Sequence, residues 1–315
     1  MLVLTRPEVE QLLDLDELVG ALSRAHAELS AGAVSMPPRI AAFAEEDGLL
    51  GAMPGYLPSA GLGCKLVSVF PHNADRPSHQ AAIALFDPVN GSPLALMDGT
   101  YITAARTAGA ASLAARLLAR DDARALAILG TGVQARSHAR AFAGIRDWQE
   151  IRVAGRDRAK AEELAAEIGA TTASFEEAVR GADVVAATTH AAEPVVLLDW
   201  VSPGTHVGSV GFAAPGFELD PALLRAATIV VESRASAFAA SPAGAPELAG
   251  IEPESVAELG EIVAGTRPGR TSRDEITLYK SVGVAVQDLA AAALVLGAAR
   301  ERGVGIEIEL EEIHA

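Results

Sequence analysis

The feature that most constrains this chain is a short apolar run, Ala125–Leu129, that passes directly into Gly130-Thr131-Gly132-Val133-Gln134-Ala135. A helix-forming stretch through Phe142 follows. A Gly-x-Gly-x-x-Ala sequence between a strand and a helix is the phosphate-binding turn of a dinucleotide fold. Gly130 permits the tight turn, Gly132 leaves room for a pyrophosphate, and Ala135 is small enough for close helix–strand packing. The free amides and positive dipole end of the helix face the phosphates. Thr131, Val133 and Gln134 complete the turn as candidate cofactor contacts. An ordinary glycine turn is the competing reading, but the surrounding pattern argues against it. Strands at 151–154, 184–188, 206–210 and Thr228–Val231 alternate with helices at Arg158–Ile168 and Phe175–Val179. Such alternation predicts a parallel sheet covered on both faces.

The end of the second strand bears on which nicotinamide cofactor binds. An acid there accepts hydrogen bonds from the ribose hydroxyls and favours NADH. Here the strand ends Val153-Ala154-Gly155-Arg156-Asp157-Arg158. Arg156 can clasp a 2′-phosphate with paired hydrogen bonds, which favours NADPH. Asp157 is the competitor, and NADH is the alternative if it turns to the ribose. Thr188, Thr189 and Val210 lie at the carboxyl ends of later strands, where such folds place their ligands.

The residues before this region follow a different pattern. A helical repeat spans 8–29, with Leu12, Leu15, Leu18, Val19 and Leu22 at about 3.6-residue spacing. Pro37-Pro38 cannot continue it. Short strands are expected at 49–53, 63–69, 81–87 and Pro93–Asp98, with Asn90-Gly91 as a hairpin turn. The first hundred residues therefore read as an α+β unit with an antiparallel sheet. A helix is expected at 103–118, and 280–302 reads as one long helical segment returning to the first domain. The expected architecture is α/β: a Rossmann domain at 119–284 inserted in an α+β domain at 1–118 that is completed by 285–315.

The balance of 41 acidic against 25 basic side chains, a net charge of −16, argues against general binding of nucleic acid or anionic membranes. Cys64 is the single cysteine, which excludes an internal disulfide or a multi-cysteine metal site. The first residues carry no long apolar stretch of a signal peptide, and the longest apolar run, 289–299, is short for a membrane span. A soluble cytoplasmic protein without a metal is expected.

Within the first domain three cations stand out: Arg39, Lys65 and Arg106. Lys65 sits in the apolar strand Gly63-Cys64-Lys65-Leu66-Val67, where a buried ammonium needs a partner or a lowered pKa. An edge lysine reaching water is the competing reading. Arg106 interrupts the small-residue run Thr103-Ala104-Ala105-Arg106-Thr107-Ala108 and could aim its fork at a carboxylate. His79, before a core strand, is a second candidate proton donor, although a structural histidine is the plainer reading.

Across nearly its full length the chain resembles the ornithine cyclodeaminase/mu-crystallin family. The resemblance rests on Met36-Pro37-Pro38-Arg39, Lys65-Leu66-Val67, Ser78-His79-Gln80-Ala81, Phe86-Asp87-Pro88 and Met97-Asp98-Gly99. It continues through Ile102 to Ala108, the glycine turn from Leu129 to Ala135, Glu218-Leu219-Asp220 and Lys280-Ser281-x-Gly283. It implies a homodimer whose N-terminal domain binds substrate. The residues matching Arg39 and Arg106 would bind the substrate carboxylate. The residue matching Lys65 would lie beside the reacting carbon as a carboxylate ligand and proton relay. In the family's true cyclodeaminases an aspartate in the loop after a late strand takes the side-chain amine. Here Ala213 stands near that position, and no acid appears between Val210 and Phe217. The resemblance thus points to NAD(P)H-dependent reduction of a cyclic imino acid, such as Δ1-pyrroline-2-carboxylate or Δ1-piperideine-2-carboxylate, to the L-amino acid. The alternatives are an amino-acid dehydrogenase or reductive aminase on open-chain 2-oxo acids, an ornithine or lysine cyclodeaminase, and a non-catalytic NADPH-dependent ligand-binding protein.

Overall fold

The chain opens with a short strand, β1 (Leu2–Leu4), followed by a helical pattern that breaks in the middle. Instead of one helix over 8–29 there are two, α1 (Arg6–Leu12) and α2 (Leu15–Ser30). The break is at Asp14, whose carboxylate accepts the amides of Asp16 and Glu17, both at 2.9 Å. A capping residue must be extended, so the first helix cannot run through it. The structure, a computed structural model, describes residues 1–45, 48–211 and 217–310.

Five strands follow: β2 (Ile40–Phe43), β3 (Leu49–Leu57), β4 (Gly61–Val69), β5 (His79–Phe86) and β6 (Pro93–Asp98). Neighbouring strands of this set pair antiparallel. Asn90 and Gly91 lie in a turn closed from Asp87 N to Ser92 O at 2.9 Å. Helix α3 (Gly99–Leu118) begins four residues earlier than expected, because Asp98 accepts the Tyr101 amide at 2.8 Å and so caps it.

The next elements alternate as the glycine turn requires. They are β7 (Ala125–Leu129), α4 (Val133–Ala143), β8 (Glu150–Ala154), α5 (Arg158–Ile168), β9 (Thr171–Thr172), α6 (Phe175–Val179) and β10 (Val184–Ala187). Then come β11 (His206–Ser209), α7 (Pro221–Ala226), β12 (Thr228–Val231), α8 (Arg234–Ala237), β13 (Ala257–Glu258), α9 (Leu259–Val263) and β14 (Thr277–Lys280). The chain ends with α10 (Ala285–Arg302) and β15 (Ile306–Glu307). Lys280 therefore closes a strand and does not start a helix. The helix is held off to Ala285 by Gly283, whose φ of 71° lies outside helical space.

Two compact units result: Met1–Arg106 with Val284–Ala315, and Thr107–Gly283. In the second unit eight strands lie in the order β13-β12-β14-β11-β10-β7-β8-β9, and every pair is parallel. Their side chains are buried along nearly the whole of β7, β10, β11 and β14, as a sheet covered on both faces demands. Among the described residues, no helix is long and apolar enough to cross a membrane.

In the first unit the sheet order is β15-β1-β6-β5-β4-β3-β2. Alternate residues point to one face, and on it Met53, Leu57, Ile83, Leu85, Ala95 and Met97 are buried beneath helices α2 and α10. Each fully buried Leu, Ile or Met among them contributes about 1.5–3 kcal/mol. Helix α10 can lie this close because Gly63 has no side chain there. A Cβ at Gly63 would stand 2.6 Å from Ala84 O and 2.7 Å from Leu289 Cδ2. Gly63→Ala should therefore cost about 1–3 kcal/mol by overpacking, read as a lower midpoint in urea or thermal unfolding. An unchanged midpoint would show that the helix can withdraw freely.

Candidate active site

On the same buried face of β4 stands Lys65, paired across the sheet with Met53 and Ile83. Its side chain is only 2% exposed. Its counter-charge comes from α10: Lys65 Nζ lies 2.7 Å from Asp288 Oδ2. The other carboxylate oxygen, Oδ1, accepts from Arg106 Nε at 2.9 Å. Gln287 Oε1 accepts from Arg106 Nη1 at 2.8 Å. A guanidinium only donates, so this bond fixes the orientation of the Gln287 amide. Its Nε2 then donates to His26 Nε2 on α2 at 3.1 Å, and that ring nitrogen must be the unprotonated one.

Electrostatics follow from this crowding. Burial opposes ionisation of Asp288, but Arg106 and Lys65 outweigh it and hold the carboxyl below its ordinary pKa. For Lys65, burial and the Arg106 charge pull the pKa down to about 7 against the attraction of Asp288, and Arg39 adds a smaller push in the same direction. Arg39 itself is half-buried just before β2. The structure thus brings Lys65 and Arg106 together, with Arg39 within electrostatic reach. His79 lies elsewhere. It is exposed at the start of β5, four positions from Ile83, which at about 3.3 Å per residue is roughly 13 Å along the strand.

Sequence reasoning missed Asp288 and Gln287. A signal was present: they are the only polar side chains between Val282 and Ala299. A carboxylate in so apolar a helix requires a buried cation elsewhere in the chain.

In the second unit the glycine turn fits a dinucleotide on local geometry. Gly130 has a φ of 120°, and a Cβ there would stand 2.6 Å from Thr188 Oγ1, so only glycine is accommodated. At Gly132 an added Cβ would meet nothing within 4 Å, which leaves the start of α4 open. No side chain caps this helix, so its first amides are available to phosphate. Thr131, Val133 and Gln134 lie in this same turn, and Val133 is 60% exposed.

Beyond β8, Arg156 is exposed, while Asp157 is occupied as the cap of α5, accepting from Ala159 N and Lys160 N at 3.1 and 3.2 Å. At the strand ends Thr188 Oγ1 donates to Leu129 O at 2.7 Å, and Val210 N donates to Ala187 O at 3.1 Å. Thr189 is fixed by Glu218, another residue that sequence reasoning assigned no role. Glu218 accepts from Thr189 Oγ1 at 2.7 Å, Ser209 Oγ at 2.8 Å and Gly211 N at 2.9 Å. Lys280 Nζ donates to Gly211 O at 2.8 Å and Ser209 Oγ at 3.1 Å, and forms an ion pair with Glu247. This network ties together the carboxyl ends of β10, β11 and β14. Ala213 lies outside the described residues. Among the described residues, no His, Cys, Asp and Glu cluster is arranged to hold a metal ion.

The chain is similar to several known proteins. The chain is 41% identical over 272 residues to the ketimine reductase mu-crystallin of Mus musculus, covering 84% of this chain and 85% of that protein. It is 36% identical over 324 residues to an alanine dehydrogenase of Archaeoglobus fulgidus, covering 99% of each. Its fold matches the Thermococcus litoralis Δ1-pyrroline-2-carboxylate reductase, solved in complex with NADH and L-proline, with a TM-score of 0.91 at 37% identity over 98% of this chain and 100% of that one. The sequence profile of the ornithine cyclodeaminase/mu-crystallin family matches residues 1–303, and the chain belongs to that family.

Proposed function

We propose that this chain reduces a cyclic α-imino carboxylate, of the size of Δ1-pyrroline-2-carboxylate or Δ1-piperideine-2-carboxylate, to the L-amino acid with NAD(P)H. The observation that carries this reading is the buried cluster of Lys65 and Arg106 on Asp288, with Arg39 nearby. Arg106 is gripped by its Nε and Nη1 donors, which leaves Nη2 for a substrate carboxylate. Arg39 supplies a second guanidinium. A dinucleotide held at the glycine turn from Gly130 to Ala135 would supply hydride for the imine carbon. Lys65 gives a proton to the imine nitrogen, so the C=N bond becomes C–H and N–H, and Lys65 is reprotonated from water. A pKa near 7 suits that transfer at neutral pH. The ketimine reductase relative and the reductase solved with L-proline support the substrate class.

The alanine dehydrogenase relative favours a second reading, in which the same groups hold the open-chain imine of a 2-oxo acid and ammonia. A cyclodeaminase is disfavoured, because no acid lies between Val210 and Phe217 to pair with a terminal ammonium. The first unit is proposed as the substrate and dimerisation domain, and the second as the NAD(P) domain. Exposed Arg156, with Asp157 engaged as a helix cap, supports NADPH over NADH.

A cytoplasmic homodimer is proposed as the working form. The face of the first unit's sheet turned away from α10 is apolar and open: Leu50, Tyr56, Leu62, Leu66 and Leu96 are exposed on it, as is Ile40, 68% exposed. A monomer rarely leaves so continuous an apolar face to water.

Purified protein should oxidise NADPH with a cyclic ketimine carboxylate. Lys65→Ala and Arg106→Ala should each lower kcat/KM by on the order of 100-fold. Oxidation with pyruvate and ammonia alone would instead select the second reading, and full turnover in both variants would refute the site. Arg156→Ala should raise the KM for NADPH by roughly 10-fold or more while sparing that for NADH; an equal effect on both cofactors would contradict the 2′-phosphate assignment. Leu66→Asp should convert a species of twice the chain mass to a monomer in analytical ultracentrifugation, and a wild type sedimenting as a monomer would refute the dimer.

A further inference from the structure

Asp288 has no part in the reaction just described, yet its position is costly. Its carboxylate is 1% exposed, in the first turn of α10, and both oxygens are spent on cations from other elements: Oδ1 on Arg106 of α3 and Oδ2 on Lys65 of β4. A buried carboxylate is tolerated only where charge partners repay its lost hydration. The helix N-terminus favours it further. The groups facing Lys65 are Arg106 from α3, Arg39 from the segment before β2, and Asp288 from α10. His26 of α2 meets the cluster at the Gln287 amide, to which it presents an unprotonated nitrogen. Three cations therefore meet one described anion. Two of them, Arg106 and Arg39, repel a proton on Lys65, and among the described residues Asp288 attracts it.

We propose that Asp288 is a positioning residue for the reductive reaction, the fixed counter-ion that favours the ammonium form of Lys65 and holds the Arg106 fork at the angle that leaves Nη2 for the substrate carboxylate. This rests on the proposed imine reduction. Asp288 does not donate the proton itself, because its carboxylate is held ionised by the same two cations. Its influence reaches the substrate through the charge state of Lys65 and the orientation of Arg106. Neutral Asn in its place could still accept from Arg106 Nε, but it would offer no charge to the Lys65 ammonium.

The test uses a property of the chain: it contains three lysines, Lys65, Lys160 and Lys280. Protein labelled with [13Cε]lysine gives one side-chain signal for each, assigned with Lys160→Arg and Lys65→Met. The Lys65 signal is titrated without substrate, in wild type and in Asp288→Asn, and the pH profile of kcat for imine reduction is recorded alongside. In wild type the midpoint is expected near 7, and the rate should fall as pH rises through it, because the reduction uses the protonated lysine. In Asp288→Asn both the midpoint and the fall in rate should move to lower pH by about one unit or more, so that kcat at pH 7.5 drops roughly 10-fold or more. A Lys65 midpoint that stays in place, with a rate lowered equally at every pH, would mean a structural role only and would overturn the proposal. If the midpoint moves but no imine is reduced by either protein, the substrate reading fails while the counter-ion assignment is supported. If Asp288→Asn does not fold, Lys65→Met in the same chain should recover thermal stability by removing the unmatched charge; a double variant no more stable than the single one would overturn the proposal.

Discussion

The contact on which the first unit depends is the carboxylate of Asp288 shared between Lys65 and Arg106. An ammonium and a guanidinium cannot be left in an apolar interior without an anion, because burial removes the water that would solvate them. Once β4 places Lys65 on the covered face of the sheet, the remainder of that face must supply a counter-charge. It comes from a helix more than two hundred residues later in the chain, and that helix reaches the sheet only because Gly63 offers no side chain to hold it off. Packing and electrostatics are thus one constraint. The glycine that allows α10 to approach also brings the carboxylate within 2.7 Å of Lys65.

The second unit solves a different problem, that of exposing backbone donors without unfolding the turn that carries them. Gly130 takes a positive φ against Thr188, and Gly132 leaves the helix start uncovered. Beyond the strand ends the backbone is held by side chains instead of by the ladder. Glu218 gathers Thr189, Ser209 and Gly211, and Lys280 adds a second set of bonds to Ser209 and Gly211. A buried network of this kind holds a segment rigid only while every member is satisfied. That requirement gives a physical reason for charged residues in an otherwise apolar sheet.

Much of this was legible in the residues. The strand–turn–helix at Ala125 to Phe142, helix α5 at its observed bounds and β6 were read from periodicity and turn chemistry, since each depends on neighbours in sequence. Two errors were of one kind. The first helix was read through Asp14, and the last was begun at Lys280, because periodicity alone does not register an extended cap or a residue at positive φ. The four-residue strand β14 carries no periodic signal of its own, and it was missed between β11 and β12, where it pairs with both.

By itself the sequence determined the local chemistry: a net negative charge, a glycine turn between a strand and a helix, and three cations, Arg39, Lys65 and Arg106, set among apolar or small residues. Only the tertiary structure decided which anion answers those cations, that Asp157 is engaged as a helix cap, and that His79 stands apart from Lys65. The reason is physical. Turns, caps and helical periods are fixed by atoms a few residues apart, whereas the partner of a buried charge is fixed by which distant face the packing brings against it.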